Sequence, residues 1–167
     1  MERGVRTQCG VGVKNLDELR AYHCARAFKL EVYRLIKDSR EARSDWKFRS
    51  QLMEAAASNE MNVREGFKRF LAGEMSQFLS FALASLAEAL GWLQDGIDRD
   101  YFRSEDCAFA LELGDKSDKT TTALLNSLRP FLRRNRGPSH RPSSQDRGTQ
   151  HPLKPRIKVE DRTEDEN

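Results

Sequence analysis

The sequence predicts an all-α protein, and three observations carry that expectation. Between about Leu16 and Leu132 there is a single proline, Pro130. Over the same span the apolar residues recur at three- and four-residue spacing, the period of a helix face. Short polar connections divide the span into four amphipathic segments, and no sheet is expected. Four such segments fold most simply as an antiparallel up-down-up-down four-helix bundle.

The first helix is expected over about Asp17 to Ser39, with Leu19, Ala25, Phe28, Val32, Leu35 and Ile36 toward one side and Arg20, Lys29 and Arg34 away from it. "SREARS" reads as a loop. Ser44 is the expected N-cap of the second helix, with Asp45 in its first turn, where the helix dipole favours negative charge. That helix should run to about Leu71, with Gly73 as a left-handed stop. The third is expected from about Glu74, with Phe78, Phe81, Ala82, Ser85, Leu86, Ala89 and Leu93 inward, ending near the glycine-containing turn "QDGIDRDYF". Ser104 is the expected cap of the fourth, whose contacts are Leu111, Leu124, Leu125, Leu128 and Phe131. Gly114 and Thr120, Thr121 and Thr122 are its weak points, the glycine costing about 1 kcal/mol relative to alanine.

Outside this region the composition changes. The stretch from Arg133 onward has four prolines, few large apolar residues and dense charge, and cannot bury enough surface to offset the entropy of ordering. The organisation expected is a flexible leader over 1–15, a four-helix bundle over 16–133 and a disordered charged tail over 134–167.

Several function classes are excluded by what the chain lacks. Charged residues make up 33% and the mean hydropathy is −0.75. No apolar run approaches the ~18 residues of a membrane span, and the N-terminus lacks a signal-peptide apolar region, so a cytoplasmic protein with no membrane contact is expected. Cys9, Cys24 and Cys107 are too few and too scattered for a disulfide framework or a zinc site. A dinuclear metal bundle needs Glu-x-x-His pairs; this chain has none, and of its three histidines only His23 lies in the helical region. "CGVGV" lacks the Lys-Ser/Thr of a phosphate loop. Nothing resembles a nucleophilic set. A non-enzyme without catalytic residues, metal or cofactor is expected.

Charge placement says more than the net charge of +3. Residues 40–69 carry seven basic and five acidic residues, whereas residues 74–100 carry one and five. From Arg129 to Lys158 there are nine basic residues and one acid, Asp146. Arg133, Arg134, Arg136, Arg141, Arg147, Lys154, Arg156 and Lys158 are therefore candidate nucleic-acid contacts, a solubilising tail being the plainer reading.

The most informative stretch is "SNEMNVREGFKRF", residues 58–70. Leu52, Ala56, Asn59, Val63, Gly66 and Phe70 follow the spacing of a buried row, and Ser58, Asn62, Glu65 and Arg69 border it. If the second and third helices turn back near Ala72, Asn59 comes level with Ser85 and Ser58 with Leu86. A hydrogen-bonded cluster of Ser58, Asn59, Ser85 and Glu88 is expected between them, and Gly66 should let a neighbouring helix approach closely.

These residues carry a resemblance. Gln51, Leu52, Ser58, Asn62, Val63, Glu65, Gly66 and Arg69, followed by Glu74, Phe78, Ala82, Ser85, Leu86 and Glu88, resemble the ordered motifs of the bacterial four-helix-bundle family of ribosomal-RNA intervening-sequence proteins. The accessory bundle protein of diversity-generating retroelements is similar to this family. Asn59 stands where the family has an apolar residue, and Met53 and Glu54 where basic residues are common. The resemblance covers about residues 20–133. It implies a ring-like homo-oligomer, a pentamer being expected; the near-neutral bundle and the absence of catalytic sets point to a non-catalytic scaffold or adaptor for a protein partner. The alternative it implies is an RNA- or DNA-binding accessory protein, acting through the tail and the second helix with a reverse transcriptase.

Overall fold

The computed structural model describes residues 13–69 and 71–134, with side chains through Leu132. Residues 1–12 of the expected leader, Phe70 and residues 135–167 lie outside the described residues, and so do the candidate contacts Arg136, Arg141, Arg147, Lys154, Arg156 and Lys158; Asn15, at the end of the expected leader, caps the first turn. Among the described residues the chain is helical with no strand. A 3-10 turn over Leu16–Glu18 precedes five α-helices: α1 (Arg20–Asp38), α2 (Arg40–Ser44), α3 (Trp46–Lys68), α4 (Ala72–Asp98) and α5 (Ser104–Arg134). No helix among these residues is long and apolar enough to cross a membrane.

The buried row of α1 is Tyr22, Ala25, Phe28, Val32, Leu35 and Ile36, together with Ala21. Phe28 and Val32 are fully enclosed, and burial of side chains of this size contributes about 1.5–3 kcal/mol each. "SREARS" is not a loop: Ser39 accepts a hydrogen bond from the Ala42 N–H and caps the five-residue α2, whose Ala42 is buried. Ser44 is accordingly the last residue of α2, its hydroxyl donating to the Arg40 carbonyl. Asp45 is the cap of α3, accepting from the Phe48 N–H at 3.0 Å. The same carboxylate accepts from the Tyr101 hydroxyl at 3.0 Å, so the cap also ties α3 to the connection ahead of α5. The Phe48 N–H bond leads, with Tyr101 and Arg99 adding to it, in holding the Asp45 carboxyl below its ordinary range.

The turn between α3 and α4 differs from the glycine stop expected. The helix ends at Lys68; Arg69 and Leu71 are extended, with φ/ψ of −82°/133° and −100°/131°. Gly73 is already inside α4, which begins at Ala72 rather than Glu74. The described residues on either side of the turn are extended, and the glycine lies beyond it. Among the described non-glycine residues the left-handed one is Asp100, with φ of 59°. It follows α4 in a C-terminal cap in which the Asp100 N–H bonds the Ile97 carbonyl and the Tyr101 N–H the Gly96 carbonyl. Gly96 itself is helical and buried. The buried row of α4 runs Met75, Leu79, Ala82, Leu86, Ala89, Leu93 and Gly96; Phe81, expected inward, is 48% exposed, and Phe78 and Ser85 are half-buried. In α5, Ser104 is the first helical residue rather than the cap, the Arg103 carbonyl accepting from the Cys107 N–H. Leu111 is exposed and Leu128 buried.

The principal packing pairs are α3 with α4, α1 with α5, α1 with α3, and α4 with α5. Close approaches occur where side chains are missing. A Cβ on Gly66 would stand 3.1 Å from Phe78 Cβ, so the neighbour that this glycine admits is α4 of the same chain. A Cβ on Gly96 would meet the rings of Phe102 and Phe48 at 2.7 Å. Phe48 is the centre of an aromatic group, with edge-on contacts to Trp92 and Tyr101 and a tilted contact to Phe102.

Candidate functional site

The apolar core is divided in two. One cluster contains Phe28, Phe48, Leu52, Ala56, Leu86, Leu93 and Ala110; the other contains Tyr22, Ala25, Val63, Met75, Leu79, Ala82 and Leu128. Between Ala56 and Val63 on α3, and between Ala110 and Leu128 on α5, lie the four buried polar residues: Asn59, Glu60, Ser117 and Thr121. A polar layer therefore crosses the middle of the helical core, and it is the candidate site.

Asn59 is fully buried. Its Nδ2–H donates to the Ala82 carbonyl of α4 at 2.8 Å, and its Oδ1 accepts from the Ser117 hydroxyl of α5 at 3.3 Å. One amide thus links three helices. This explains the departure from an apolar residue at this position: the amide replaces packing with hydrogen bonds to two neighbouring helices.

Beside it, Glu60 is 2% exposed and faces α1. Its carboxylate takes a short charged hydrogen bond from Lys29 Nζ, a second from Arg64 at 3.0 Å, and an ion pair to Arg26 at 3.9 Å. Arg64 also donates to the Tyr22 hydroxyl at 2.9 Å. Burial pushes the Glu60 carboxyl up, but the Lys29 bond and charge, Arg64 and the Tyr22 hydroxyl outweigh it and hold the group below the ordinary glutamate range.

The expected cluster forms in part and in a different register. Ser58 and Ser85 share a hydrogen bond of 2.9 Å, and Asn62 donates to Ser58 at 3.1 Å. Asn59 lies level with Ala82, not Ser85, and Ser58 pairs with Ser85, not Leu86. Glu88 is exposed and takes no part. One turn on from the Ser58–Ser85 pair α3 presents Ala55, which offers no polar atom, so the carboxylate stays in water. Glu88 instead borders a shallow hollow with Gly91, Trp92, Asp95 and Arg99. Along the border row, Glu65 and Arg69 form an ion pair at 2.5 Å, and the Arg69 guanidinium lies 4.9 Å from the Phe78 ring centre. Arg133 and Arg134 fall in the last turn of α5, with their side chains outside the described set.

Sequence reasoning missed Glu60, Ser117 and the Tyr22–Arg64 contact. The signal was available for Glu60: it sits next to the Asn59 row and four residues before Arg64, a spacing at which ion pairs form on one helix.

Asn59, Glu60 and Ser117 are committed to internal bonding, whereas the buried Thr121 hydroxyl finds no hydrogen-bond partner among the described residues. Among the described residues no group of three or more His, Cys, Asp or Glu side chains is placed to hold a metal ion. A cleft of about 420 Å³ lies where Arg34 and Asp38 approach Arg103 and Asp106. Its cations are engaged, Arg34 by Glu31 and Asp38, Arg103 by Asp106. His23 Nε2 lies 2.7 Å from the Asp17 carbonyl.

These features define a helical, bundle-like protein whose buried polar groups join helix to helix. The family model described as 23S rRNA-intervening sequence protein matches residues 17–123, from the first turn well into α5, and the chain belongs to that family. No curated protein matches the chain.

Proposed function

We propose that this chain is a non-catalytic, homo-oligomeric scaffold or adaptor: an antiparallel up-down-up-down four-helix bundle that assembles into a ring of copies, expected to be five, in the cytoplasm, and holds a protein partner. The observation that carries this reading is a surface one. Trp46, Met61, Leu71, Phe81 and Phe109 expose 70%, 64%, 57%, 48% and 54% of their area, while the buried polar groups join helices. These exposed apolar side chains on α3, α4, α5 and the α3–α4 turn are the candidate contacts of such an assembly. The antiparallel arrangement is supported by cross-helix pairs whose numbers rise on one helix as they fall on the next: Phe48 with Trp92, Ser58 with Ser85, and Gly66 beside Phe78. Sedimentation of the full chain tests the reading. A species several times the mass of one chain is expected, and Phe81→Ser should reduce it; a monomer at micromolar concentration overturns the assembly.

A second reading is an RNA- or DNA-binding accessory protein acting through the tail and α3, with a reverse transcriptase. It is favoured by an uneven charge distribution. Residues 20–69 hold twelve basic and seven acidic residues, whereas residues 71–134 hold seven and ten. Polyanion affinity is built from such local excess rather than from net charge. Loss of all RNA binding at moderate salt would remove this reading.

A further inference from the structure

Two helical rows face one another where α1 packs on α3. On α1, Tyr22, Arg26, Lys29, Tyr33 and Lys37 fall at three- and four-residue steps. On α3, Arg49, Met53, Ala57, Glu60, Arg64 and Lys68 do the same. Their contact is direct: Arg64 meets Tyr22, and Lys29 and Arg26 meet Glu60. Beyond the end of α1 the seam continues through α2, where Arg43 donates to the Lys37 carbonyl at 2.9 Å and Arg49 to the Arg43 carbonyl at 2.8 Å.

The two rows are predominantly basic, although exposed Glu54 adjoins Met53 on α3 and exposed Glu41 lies in α2. The two rows contain one carboxylate, Glu60, and it is buried beneath the cations rather than displayed. The other acids of α1, Glu31 and Asp38, are engaged by Arg34 on another flank. Arg26 and Arg64 remain 48% and 44% exposed, Arg64 held by a 3.0 Å bond to Glu60 and Arg26 by a looser ion pair at 3.9 Å. Lys37 and Lys68 are exposed at the two ends. A guanidinium fixed by a buried carboxylate keeps its outer N–H donors in place, which reduces the entropy lost when an oxyanion binds. From Tyr22 to Lys37 the seam extends on the order of 20 Å along α1, long enough to follow several consecutive phosphates.

We propose that the α1/α3 seam is a docking track for the phosphodiester backbone of single-stranded nucleic acid, with Arg26, Arg64, Lys37 and Lys68 as the phosphate contacts and Glu60 as the buried anchor of the two arginines. This rests on the nucleic-acid reading above and places its site on the helices rather than in the tail. Phosphate contacts of this kind position a strand without reading its sequence.

The test uses the full chain and a labelled single-stranded RNA oligonucleotide of mixed sequence, titrated over a range of salt concentrations. The triple variant Arg26→Gln, Lys37→Gln, Lys68→Gln removes track charges while leaving Lys29 and Arg64 on Glu60. It should weaken binding by about tenfold or more and flatten the slope of log affinity against log salt by about two, at ~0.7 per lost single-strand contact. A control removing charges from α5 instead, Lys116→Gln and Lys119→Gln, should bind within about twofold of the parent. DNA of the same sequence should bind comparably. Should the triple variant melt at a lower temperature than the parent, the three single variants carry the test, each expected to lose part of the affinity.

Unchanged affinity and slope in the seam variants overturns the track. So does a loss confined to a tail variant, Arg141→Gln, Arg147→Gln, Lys154→Gln, which would leave the nucleic-acid reading standing. Absence of RNA and DNA binding by the parent chain overturns both. A seam variant that changes mass in light scattering while binding RNA normally would assign the seam to a second copy of the chain and overturn the track as well.

Discussion

Asn59 and Ser117, fifty-eight residues apart in sequence, meet in the middle of the core, the Ser117 hydroxyl donating to the Asn59 side-chain oxygen at 3.3 Å. The same amide donates to the Ala82 carbonyl, so α3, α4 and α5 share one buried polar group. Replacing Asn59 by alanine leaves the Ser117 hydroxyl without this partner and opens a space between the two apolar clusters. The expected cost is about 1–3 kcal/mol, read as a lower urea midpoint at unchanged slope. Ser117→Ala should cost less, about 0.5–1.5 kcal/mol. The double variant should cost less than the two singles combined, because both act on one bond.

Glu60 makes stability depend on acid. Its folded carboxyl titrates below the ordinary glutamate value of about 4.3, so as the pH falls the unfolded chain takes up the proton first. The contribution is fully present above about pH 5 and is lost as the pH falls through the folded value. Glu60→Gln leaves Lys29 without a counter-charge and should be less stable than the parent at pH 7 by about 1–3 kcal/mol, at the low end because Lys29 and Arg64 reach solvent. The gap between the two should narrow as the pH falls below about 5. Urea unfolding of both proteins at pH 7, 5, 4 and 3 checks this; a constant gap across that range contradicts the assignment.

The glycines of α4 should divide sharply. At Gly96 an added methyl would lie 2.7 Å from the rings of Phe102 and Phe48, and rings packed on three sides cannot yield cheaply. Gly96→Ala is expected to destabilise by about 1–3 kcal/mol. At Gly91 nothing lies within 4 Å, so Gly91→Ala should stabilise by about 0.5–1 kcal/mol through helix propensity. Opposite shifts in melting temperature for two Gly→Ala changes five residues apart are the expected outcome.

The two cysteines on α1 and α5 should differ in reactivity. Burial, with the Asp106 charge adding to it, pushes the Cys107 thiol up to about 11, whereas Cys24 is half-buried. A thiol reagent at pH 8, followed by peptide mapping, should label Cys24 and leave Cys107 unlabelled until the chain is unfolded. Equal labelling of both in the native protein would contradict the burial of Cys107.

The helical content was legible because it rests on period and on the absence of proline, both local properties. In α1 the row from Ala25 to Ile36 was legible for the same reason, whereas buried Ala21 and Tyr22 and the turn of Lys29 toward Glu60, against the outward placement expected, were not. Punctuation was not. Gly73 reads as a stop because glycine commonly ends helices, yet α3 ends at Lys68 beside an extended Arg69, and Gly73 lies inside α4. α2 was lost because five residues hold too little periodicity to be seen. In the polar layer, Asn59 was legible as a polar residue in a buried row, and its partners were not, since Ser117 and Ala82 come from other helices and depend on their exact register. Glu60 shows the opposite limit. A carboxylate is read by default as solvent-facing, and only the placement of Lys29 and Arg64 makes its burial affordable.

The central claim is that this helical frame works as an assembly rather than alone, and light scattering on the full chain at micromolar concentration tests it most directly. The account predicts a discrete species several times the 19.2 kDa of one chain, five copies in the expected ring. A single species of 19.2 kDa would contradict it.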